Sequence, residues 1–410
     1  MAALLPNSTK GGHRATEGRP YNSFARSSIL DRLPAMRVLL FLLLLPSLLH
    51  AQAKPDKEYF VYVLSEAADK ISLVRFGPDG IRVDHEIPTG DMPVDIDGPH
   101  GIIISPDRQF YFVSIAHGRP FGSVWKYSTK NDAVLGKTTL GYFPATMDIT
   151  PDGNFLFVVN FNLHGDMVPS TVSVVATQTM IEIARIPTCT MPHGSRLNAQ
   201  GTKQYSVCMM DDMLVEIDTS TFKASRHFIV TKGQEKGVDG PPKKEVTSNA
   251  THSMHAGHGS EAPKPGDSSC SPTWAEPSID GASIFVACNA SSEIVEVNAN
   301  SWQLVRRIPA RPGVYNLDIT HDGQRLLATN KRDQSVSIYD VKSGRELARL
   351  ATKRKVLHGV VVTPDDRYAF VTVEGVGSEP GTVEVIDLAA LKTVATIDVA
   401  AGAAGIDFYK

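Results

Sequence analysis

The sequence predicts an all-β protein, a single seven-bladed β-propeller with four-stranded antiparallel blades. A turn of the type Ser/Thr-Pro-Asp-Gly recurs along the chain, in which proline sets the first dihedral angle, aspartate caps the turn and glycine accepts a positive φ. An aromatic-aliphatic strand follows each turn, and a Val/Ile-rich strand with alternating polarity comes next. The turns recur about every 42 to 48 residues, a period typical of propeller blades. The exception is the spacing of about 80 residues between the third and fourth turns, which is one period plus an insertion.

The count of blades follows from the two ends of the repeat region. Six turns begin at Ser105, Thr150, Asn198, Ser278, Thr320 and Thr363. Residues 58–76 supply a second and a third strand with no first strand before them, and residues 402–408 supply a first strand with nothing after it. We therefore expect the C-terminal strand to complete the N-terminal blade, which closes the ring at seven and removes two exposed strand edges.

The N-terminal region predicts export. From Met36 the chain reads MRVLLFLLLLPSLLHAQA, a short basic start, an apolar core too short to span a bilayer comfortably, and an A-x-A cleavage site. We expect residues 1–53 to be an extension followed by a signal peptide at 36–53, and residues 54–410 to form the propeller. The mature protein would then have no membrane span and would lie in the periplasm or outside the cell, where disulfides persist.

Composition narrows the range of functions. The net charge of -3 gives no reason to expect nucleic acid or an anionic membrane as a partner. The sequence shows no nucleophile elbow, phosphate-binding glycine loop or paired catalytic carboxylates, and no C-x-x-C-H motif for c-type haem. We therefore expect a monomeric binding protein more than an enzyme.

One position of the repeat collects histidines. Aligning the turns places these residues in register at the start of the innermost strands: His100, Ala145, His193, Thr273, Tyr315, His358 and Ala404. Each of the three histidines precedes a glycine. Because the innermost strands of a propeller all start on one face, the imidazoles should ring one mouth of the central channel, an arrangement suited to copper or zinc. The alternative is that each imidazole hydrogen-bonds the backbone of a neighbouring blade or an aspartate.

The four cysteines should lie on the same face, in blades four and five. Their internal symmetry and an oxidising compartment favour the disulfides Cys189–Cys208 and Cys270–Cys288. Copper ligation by the Cys208 thiolate, with Met209 or Met210, is one alternative, and inert free thiols are another.

An insertion at 233–271 is rich in Pro, Gly, Ser and Lys, and we expect it to lack regular structure. It carries a cluster of soft and imidazole ligands suited to capturing copper in either oxidation state: His252, Met254, His255 and His258. The alternative is a solvated linker.

A second register position, three residues further along each innermost strand, carries charge in five blades: Asp148, Arg196, Glu276, Asp318 and Asp407. This predicts a wet channel with salt bridges around the axis. A substrate-binding tunnel is the alternative.

The repeat resembles a known family. The turns are followed by strands such as FLFVVN, SIFVACN and YAFVTV, and then by TVSVV or TVEVID. In these motifs residues 58–410 resemble the YVTN β-propeller repeat family of secreted proteins. The resemblance implies a periplasmic or surface binding propeller. Its motifs are specific for the fold and weak for function.

Four functions follow as hypotheses. We favour a secreted protein that binds copper at the histidine face and meets a redox or copper-handling partner. A protein-interaction scaffold without metal is the first alternative. A lactonase-like hydrolase, with His193 and either Arg196 or Glu276 in the channel, is the second. A haem-binding propeller of the kind found in periplasmic nitrite reductases is the third.

Overall fold

A computed structural model describes residues 55–91, 96–117, 121–163, 165–242 and 268–410. The signal peptide predicted at 36–53 lies outside the described residues. So do four of the predicted ligands: His252, Met254, His255 and His258.

Seven antiparallel sheets of four or five strands form the blades. Blade 1 begins with β1 (Tyr59–Ser65), β2 (Lys70–Gly77) and β3 (Gly80–Pro88). Blade 2 contains β4 (Pro99–Ile104), β5 (Phe110–Ile115), β6 (Ser123–Ser128) and β7 (Val134–Thr139). Blade 3 contains β8 (Pro144–Ile149), β9 (Phe155–Asn160), β10 (Pro169–Ala176) and β11 (Ile181–Thr190). Blade 4 contains β12 (Pro192–Leu197), β13 (Lys203–Cys208), β14 (Met213–Asp218), β15 (Lys223–Ile229) and β16 (Lys236–Asp239).

The second half of the ring repeats the pattern. Blade 5 contains β17 (Pro272–Pro277), β18 (Ser283–Cys288), β19 (Glu293–Asn298) and β20 (Gln303–Pro309). Blade 6 contains β21 (Val314–Ile319), β22 (Arg325–Asn330), β23 (Ser335–Asp340) and β24 (Glu346–Ala351). Blade 7 contains β25 (Leu357–Val362), β26 (Tyr368–Val373), β27 (Gly381–Asp387) and β28 (Lys392–Val399), and β29 (Ala403–Phe408) follows. The described helical structure is one short 3-10 turn, Glu66–Ala68, and no described helix is long and apolar enough to cross a membrane.

The ring closes as predicted. Strand β29 pairs antiparallel with β1, with Val61 opposite Phe408 and Val63 opposite Ile406. The innermost strands contact one another in the cyclic order β29, β4, β8, β12, β17, β21, β25 and back to β29. The propeller predicted from the turns is therefore confirmed, with seven blades.

Apolar side chains on the two faces of each blade pack against the neighbouring blades. Between blades 7 and 1, for example, Val61, Val63, Phe370 and Val385 are fully buried in one cluster. Alternation along each strand sends successive side chains to opposite faces, so one strand contributes to two such clusters. Burying apolar surface stabilises a fold by about 25 cal/mol per Å². This burial between neighbouring blades is the main force that holds them together.

Three aspartates satisfy the backbone amides that end the innermost strands. Asp407 accepts hydrogen bonds from Phe408 N in its own blade (2.8 Å) and from Ile104 N in the next blade (2.7 Å). Asp148 binds Ile149 N and Leu197 N in the same way, and Asp318 binds Ile319 N and Val362 N. The one innermost strand without such a bond is β17 of blade 5. It ends in Pro277, which has no N–H to satisfy. These carboxylates therefore join blades through the backbone.

The remaining charged channel residues form the kind of ion pair expected from the sequence. Arg196 Nε lies 3.8 Å from Glu276 Oε2, and its guanidinium stacks on the Trp274 ring at 4.4 Å. The five charged positions thus divide into one ion pair and three backbone acceptors.

Both favoured disulfides are present. The Cα atoms of Cys189 and Cys208 are 5.8 Å apart, and those of Cys270 and Cys288 are 4.5 Å apart. The alternative of a Cys208 thiolate ligand is therefore wrong, because that sulfur is bonded to Cys189. The prediction that all four cysteines belong to blades four and five is wrong for Cys189, because β11 of blade 3 continues through it to Thr190. The first disulfide therefore joins two blades.

The insertion is more ordered at its ends than predicted. Residues 236–239 form β16, which pairs with β15 and gives blade 4 a fifth strand. At the other end the Asp212 carboxylate accepts hydrogen bonds from the backbone amides of Ser269, Cys270 and Ser271. The prediction of no regular structure over 233–271 is thus wrong for β16, and residues 243–267 lie outside the described part.

Deleting residues 402–410 tests the closure. We expect the truncated protein to lose cooperative thermal unfolding and to aggregate, because β1 would lose its partner strand and β25 would lose the innermost strand that it packs against. Thermal melting and size-exclusion chromatography provide the measurement. A truncated protein that melts like the full chain would contradict the role of β29.

Replacing Asp407 by asparagine tests the axial aspartates. Burial raises the pKa of Asp407 to about 7, although the Ile104 and Phe408 amides lower it. Between about pH 4 and pH 7 the Asp407 carboxyl is therefore protonated in the folded state and ionised in the unfolded chain, whose aspartate pKa is about 4. The stability that comes from this bound proton is lost as the pH rises towards 7. We expect Asp407→Asn to cost about 1–3 kcal/mol through a poorly satisfied amide, and to cost more at pH 5 than at pH 8.

Chemical denaturation of both proteins across this pH range measures the difference. Asp280→Asn is the matched control, because Asp280 caps a surface turn and has a lowered pKa. The cost of Asp280→Asn should be independent of pH between 5 and 8. A pH-independent cost at Asp407 would contradict the assignment.

Candidate functional site

The second residue of every innermost strand lies at one mouth of the channel, as the register predicts. These residues are His100, Ala145, His193, Thr273, Tyr315, His358 and Ala404. The glycine after a histidine has a structural reason: a Cβ atom at Gly101 would collide with the Ala145 carbonyl oxygen, and one at Gly194 with that of Thr273. The His-Gly pairs therefore let adjacent innermost strands approach closely.

Four rings meet across the axis and close this mouth. We call His100, His193, Tyr315 and His358 the ring plug. The distances between ring centroids, taken in order around the plug, are 6.2 Å for His100–His193, 5.4 Å for His193–Tyr315, 5.1 Å for Tyr315–His358 and 5.1 Å for His358–His100. The planes meet at 61–85°, which is the favourable edge-to-face arrangement. None of the four residues is more than 8% exposed.

Neighbouring blades fix the plug through its backbone. Hydroxyl groups of the preceding blade donate to plug carbonyl oxygens: Thr146 to His193, Thr273 to Tyr315 at 2.7 Å, and Thr329 to His358 at 3.1 Å.

Both nitrogens of His193 are engaged. Its Nδ1 lies 2.9 Å from the Thr273 carbonyl oxygen, which can only accept, so Nδ1 carries the proton. Its Nε2 therefore carries a lone pair and no proton, and the Tyr315 hydroxyl donates a hydrogen bond to it at 3.0 Å. His193 therefore has no free nitrogen for a metal in this arrangement.

The same logic fixes His358. Because the Tyr315 hydroxyl donates its single hydrogen to His193, its oxygen accepts a hydrogen bond from His358 Nε2 at 3.4 Å. The other neighbour of this nitrogen is a carboxylate oxygen of Glu374, at 4.0 Å. Nε2 therefore carries the proton, and His358 Nδ1 is a lone pair, buried and without a hydrogen-bond partner.

His100 presents a second unpartnered lone pair. Its Nδ1 donates to a Glu66 carboxylate oxygen at 3.0 Å, which leaves Nε2 as a buried acceptor without a partner. The other Glu66 oxygen lies 2.8 Å from His117 Nε2. Burial would raise the pKa of Glu66, but His100 and His117 hold it well below its ordinary value. Glu66 is therefore an anion that orients His100.

The plug is uncharged at its core. Burial lowers the pKa of His193 to about 3. Burial also lowers the pKa of His358 well below its ordinary value, and Lys331 acts in the same direction. Both imidazoles are therefore neutral at physiological pH, which is the state that a metal ligand requires.

One of the two predicted thioethers, that of Met209, lies near the plug. Met209 packs against the cluster that contains Phe143 and Phe161, whose rings contact His100 at 5.2 Å and His193 at 4.8 Å. Met210 is 39% exposed. Within the described ranges no group of three or more His, Cys, Asp or Glu side chains is placed to hold a metal ion.

Sequence reasoning missed two members of the site. Tyr315 stood in the histidine register, but its hydroxyl could not be assigned to two imidazoles without coordinates. Glu66 lies in the turn after β1, outside every repeat motif, and it reaches the mouth because β1 pairs with β29.

Comparisons with known proteins agree on the fold. No family model and no curated protein sequence matches the chain. Hydrazine synthase of Kuenenia stuttgartiensis is similar in structure, with a TM-score of 0.57 and 20% identity over 78% of this chain and 92% of that chain. The periplasmic gluconolactonase PpgL of Pseudomonas aeruginosa has a TM-score of 0.60 and 16% identity, covering 86% and 99%.

A third structure, from Bacteroides fragilis and provisionally described as a 6-phosphogluconolactonase, has a TM-score of 0.61 and 14% identity over 87% and 99% of the two chains. These similarities show a seven-bladed propeller with lactonase-like neighbours. At such identities they extend to the fold alone, and membership of the YVTN family stays a prediction.

Replacing Tyr315 by phenylalanine tests the hydrogen-bond order in the plug. The variant leaves His193 Nε2 without its donor and His358 Nε2 without its nearest acceptor. We expect a loss of about 1–3 kcal/mol in unfolding free energy and a change in the protonated nitrogen of His358. Imidazole ¹⁵N chemical shifts of the folded protein report the second effect. Unchanged shifts would contradict the assigned tautomers.

Proposed function

We propose that the chain is an extracytoplasmic binding propeller that holds a copper ion with His100 Nε2 and His358 Nδ1. The observation that carries this proposal is the pair of buried, unpartnered imidazole lone pairs on adjacent rings. Buried polar atoms are nearly always hydrogen-bonded. Two open acceptors, on rings whose centroids are 5.1 Å apart and whose other nitrogens are fixed, favour a cation as their shared partner.

The chemistry of these donors favours copper among the common metals. Neutral imidazole binds both oxidation states of copper. The cuprous ion accepts a low coordination number, whereas structural zinc requires four ligands, which the described side chains do not supply here. A metal-binding histidine usually donates its second ring N–H to a carboxylate or another acceptor, and Glu66 and Tyr315 occupy these places.

This proposal revises the ligand set expected from the sequence. His193 becomes a positioning residue, because its two nitrogens serve Thr273 and Tyr315. Cys208 is excluded by its disulfide. The ligand cluster at 252–258, Met209 and Met210 stay predictions for the capture of copper before it reaches the ring.

Two observations support a location outside the cytoplasm. The described cysteines form two disulfides, which persist in oxidising compartments. The sequence at 36–53 has the pattern of a signal peptide. We propose that the protein is exported and exchanges copper with a redox or copper-handling partner.

Lactone hydrolysis is a second candidate, because the mouth also carries partly exposed charged groups. The Glu66 carboxylate could act as a base and Lys331, paired with Glu374 at 3.2 Å, as an anchor for an anionic substrate. Against it, the two imidazoles lower the pKa of Glu66 well below its ordinary value, which makes this carboxylate a weak base. The geometry therefore favours binding.

Copper titration of the full mature chain tests the proposal. Ascorbate, in place of a thiol, keeps copper in the cuprous state and leaves the disulfides intact. We expect one tightly bound ion, with His100→Gln and His358→Gln each roughly 100-fold weaker in affinity, because each removes a ligand. The His193→Gln variant should lose roughly 10-fold, which is the cost of disturbing a positioning residue.

His227→Gln is the matched control. His227 is as buried as the ring-plug histidines and its Nδ1 also meets a backbone carbonyl, at 3.0 Å, but it lies in β15. Equal binding by all variants would mean that the imidazoles are structural. Hydrolysis of gluconolactone by the metal-free protein, abolished in Glu66→Gln, would favour the lactonase instead.

A further inference from the structure

A small cavity lies in the central channel and has two ring-plug histidines in its wall. Its volume is about 30 Å³, which exceeds the roughly 10–15 Å³ that a cavity needs to hold one water molecule. The wall includes His100, His358, Asn316, Thr146 and Arg196. Four of these residues come from the innermost strands of blades 2, 3, 6 and 7, and Arg196 comes from blade 4. The cavity therefore lies on the propeller axis.

Three of the wall residues carry a buried polar atom without a partner: His100 Nε2, His358 Nδ1 and Asn316 Oδ1. Asn316 is 4% exposed, and its backbone amide is already bonded to Thr329 Oγ1 at 3.1 Å. With the tautomers assigned above, all three atoms are acceptors. A water molecule has two protons to donate, so it would leave one of the three acceptors unsatisfied. A cation can satisfy all three.

We propose that His100 Nε2, His358 Nδ1 and Asn316 Oδ1 form one buried site for a monovalent cation, with Asn316 as a third donor. The inference rests on the proposed function for the identity of the ion, the cuprous ion. It places this ion inside the channel, in the cavity with Asn316, and not on the exposed face among the loops.

The charges around the cavity favour a single positive charge. None of the three donors carries a negative charge, and the cationic residue Arg196 lines the same cavity. Carboxylates that would offset a divalent ion are otherwise engaged: Glu276 pairs with Arg196, and Asp148, Asp318 and Asp407 each accept two backbone amides. Hard divalent ions such as Mg²⁺ also require more oxygen donors than one amide supplies.

Silver(I) is the probe, because it is monovalent, binds imidazole and does not change oxidation state. The experiment titrates Ag⁺ into the full mature chain, into Asn316→Leu and into Asn330→Leu. Asn330 is the matched control, because it is a fully buried asparagine of the same blade whose Oδ1 also lacks a partner, but it does not line the cavity. We expect Asn316→Leu to bind roughly 10-fold or more weakly, and Asn330→Leu to bind like the wild type.

Side-chain amide signals in the wild-type ¹H–¹⁵N spectrum provide a readout that needs no variant to fold. Addition of Ag⁺ should shift the Asn316 amide and leave that of Asn330 in place, and Zn²⁺ should shift neither. Silver binding with an unmoved Asn316 signal, or with unchanged affinity in Asn316→Leu, would overturn the third donor and leave the two-histidine proposal standing. A wild-type protein that binds neither silver nor cuprous ion would overturn both.

Discussion

The pairing of β29 with β1 is the contact on which the rest of the molecule depends. It joins the last strand of the chain to the first and turns an open array of blades into a ring. Only in a closed ring do the seven innermost strands surround one axis, so that side chains from blades 2, 4, 6 and 7 reach one another. The site is therefore a property of the closure, and no single blade contains it.

The sequence was sufficient for the fold because its signals are local and repeated. Each turn at Ser105, Thr150 or Ser278 fixes the strands on either side of it. The period, which is longer only where the insertion precedes Ser278, fixes the number of blades. The disulfide pairing followed from equivalent positions in the repeat. Strand β16 had no such signal, since KGVD lies in a polar stretch and forms a strand only because the edge of β15 is available to pair with it.

The site was less accessible to sequence reasoning, because its chemistry depends on direction. The repeat register predicted that His100, His193 and His358 lie close together. It could not show that both nitrogens of His193 are hydrogen-bonded within the protein. That distinction depends on where the Thr273 carbonyl and the Tyr315 hydroxyl point. The same holds for the charged register positions. In the sequence Asp148, Asp318 and Asp407 suggest a charged channel, whereas in the structure their carboxylates accept hydrogen bonds from backbone amides.

The inter-blade disulfide has a mechanical consequence. Both ends of the ring lie in blade 1, where Phe60 N donates to the Lys410 carbonyl oxygen at 2.6 Å, so tension applied to the termini would unzip β29 from β1 one bond at a time. Blades 3 and 4 lie away from this seam and are tied together by Cys189–Cys208. Under load the ring should therefore fray from the seam, and the covalently joined blades should be the last part to lose their structure.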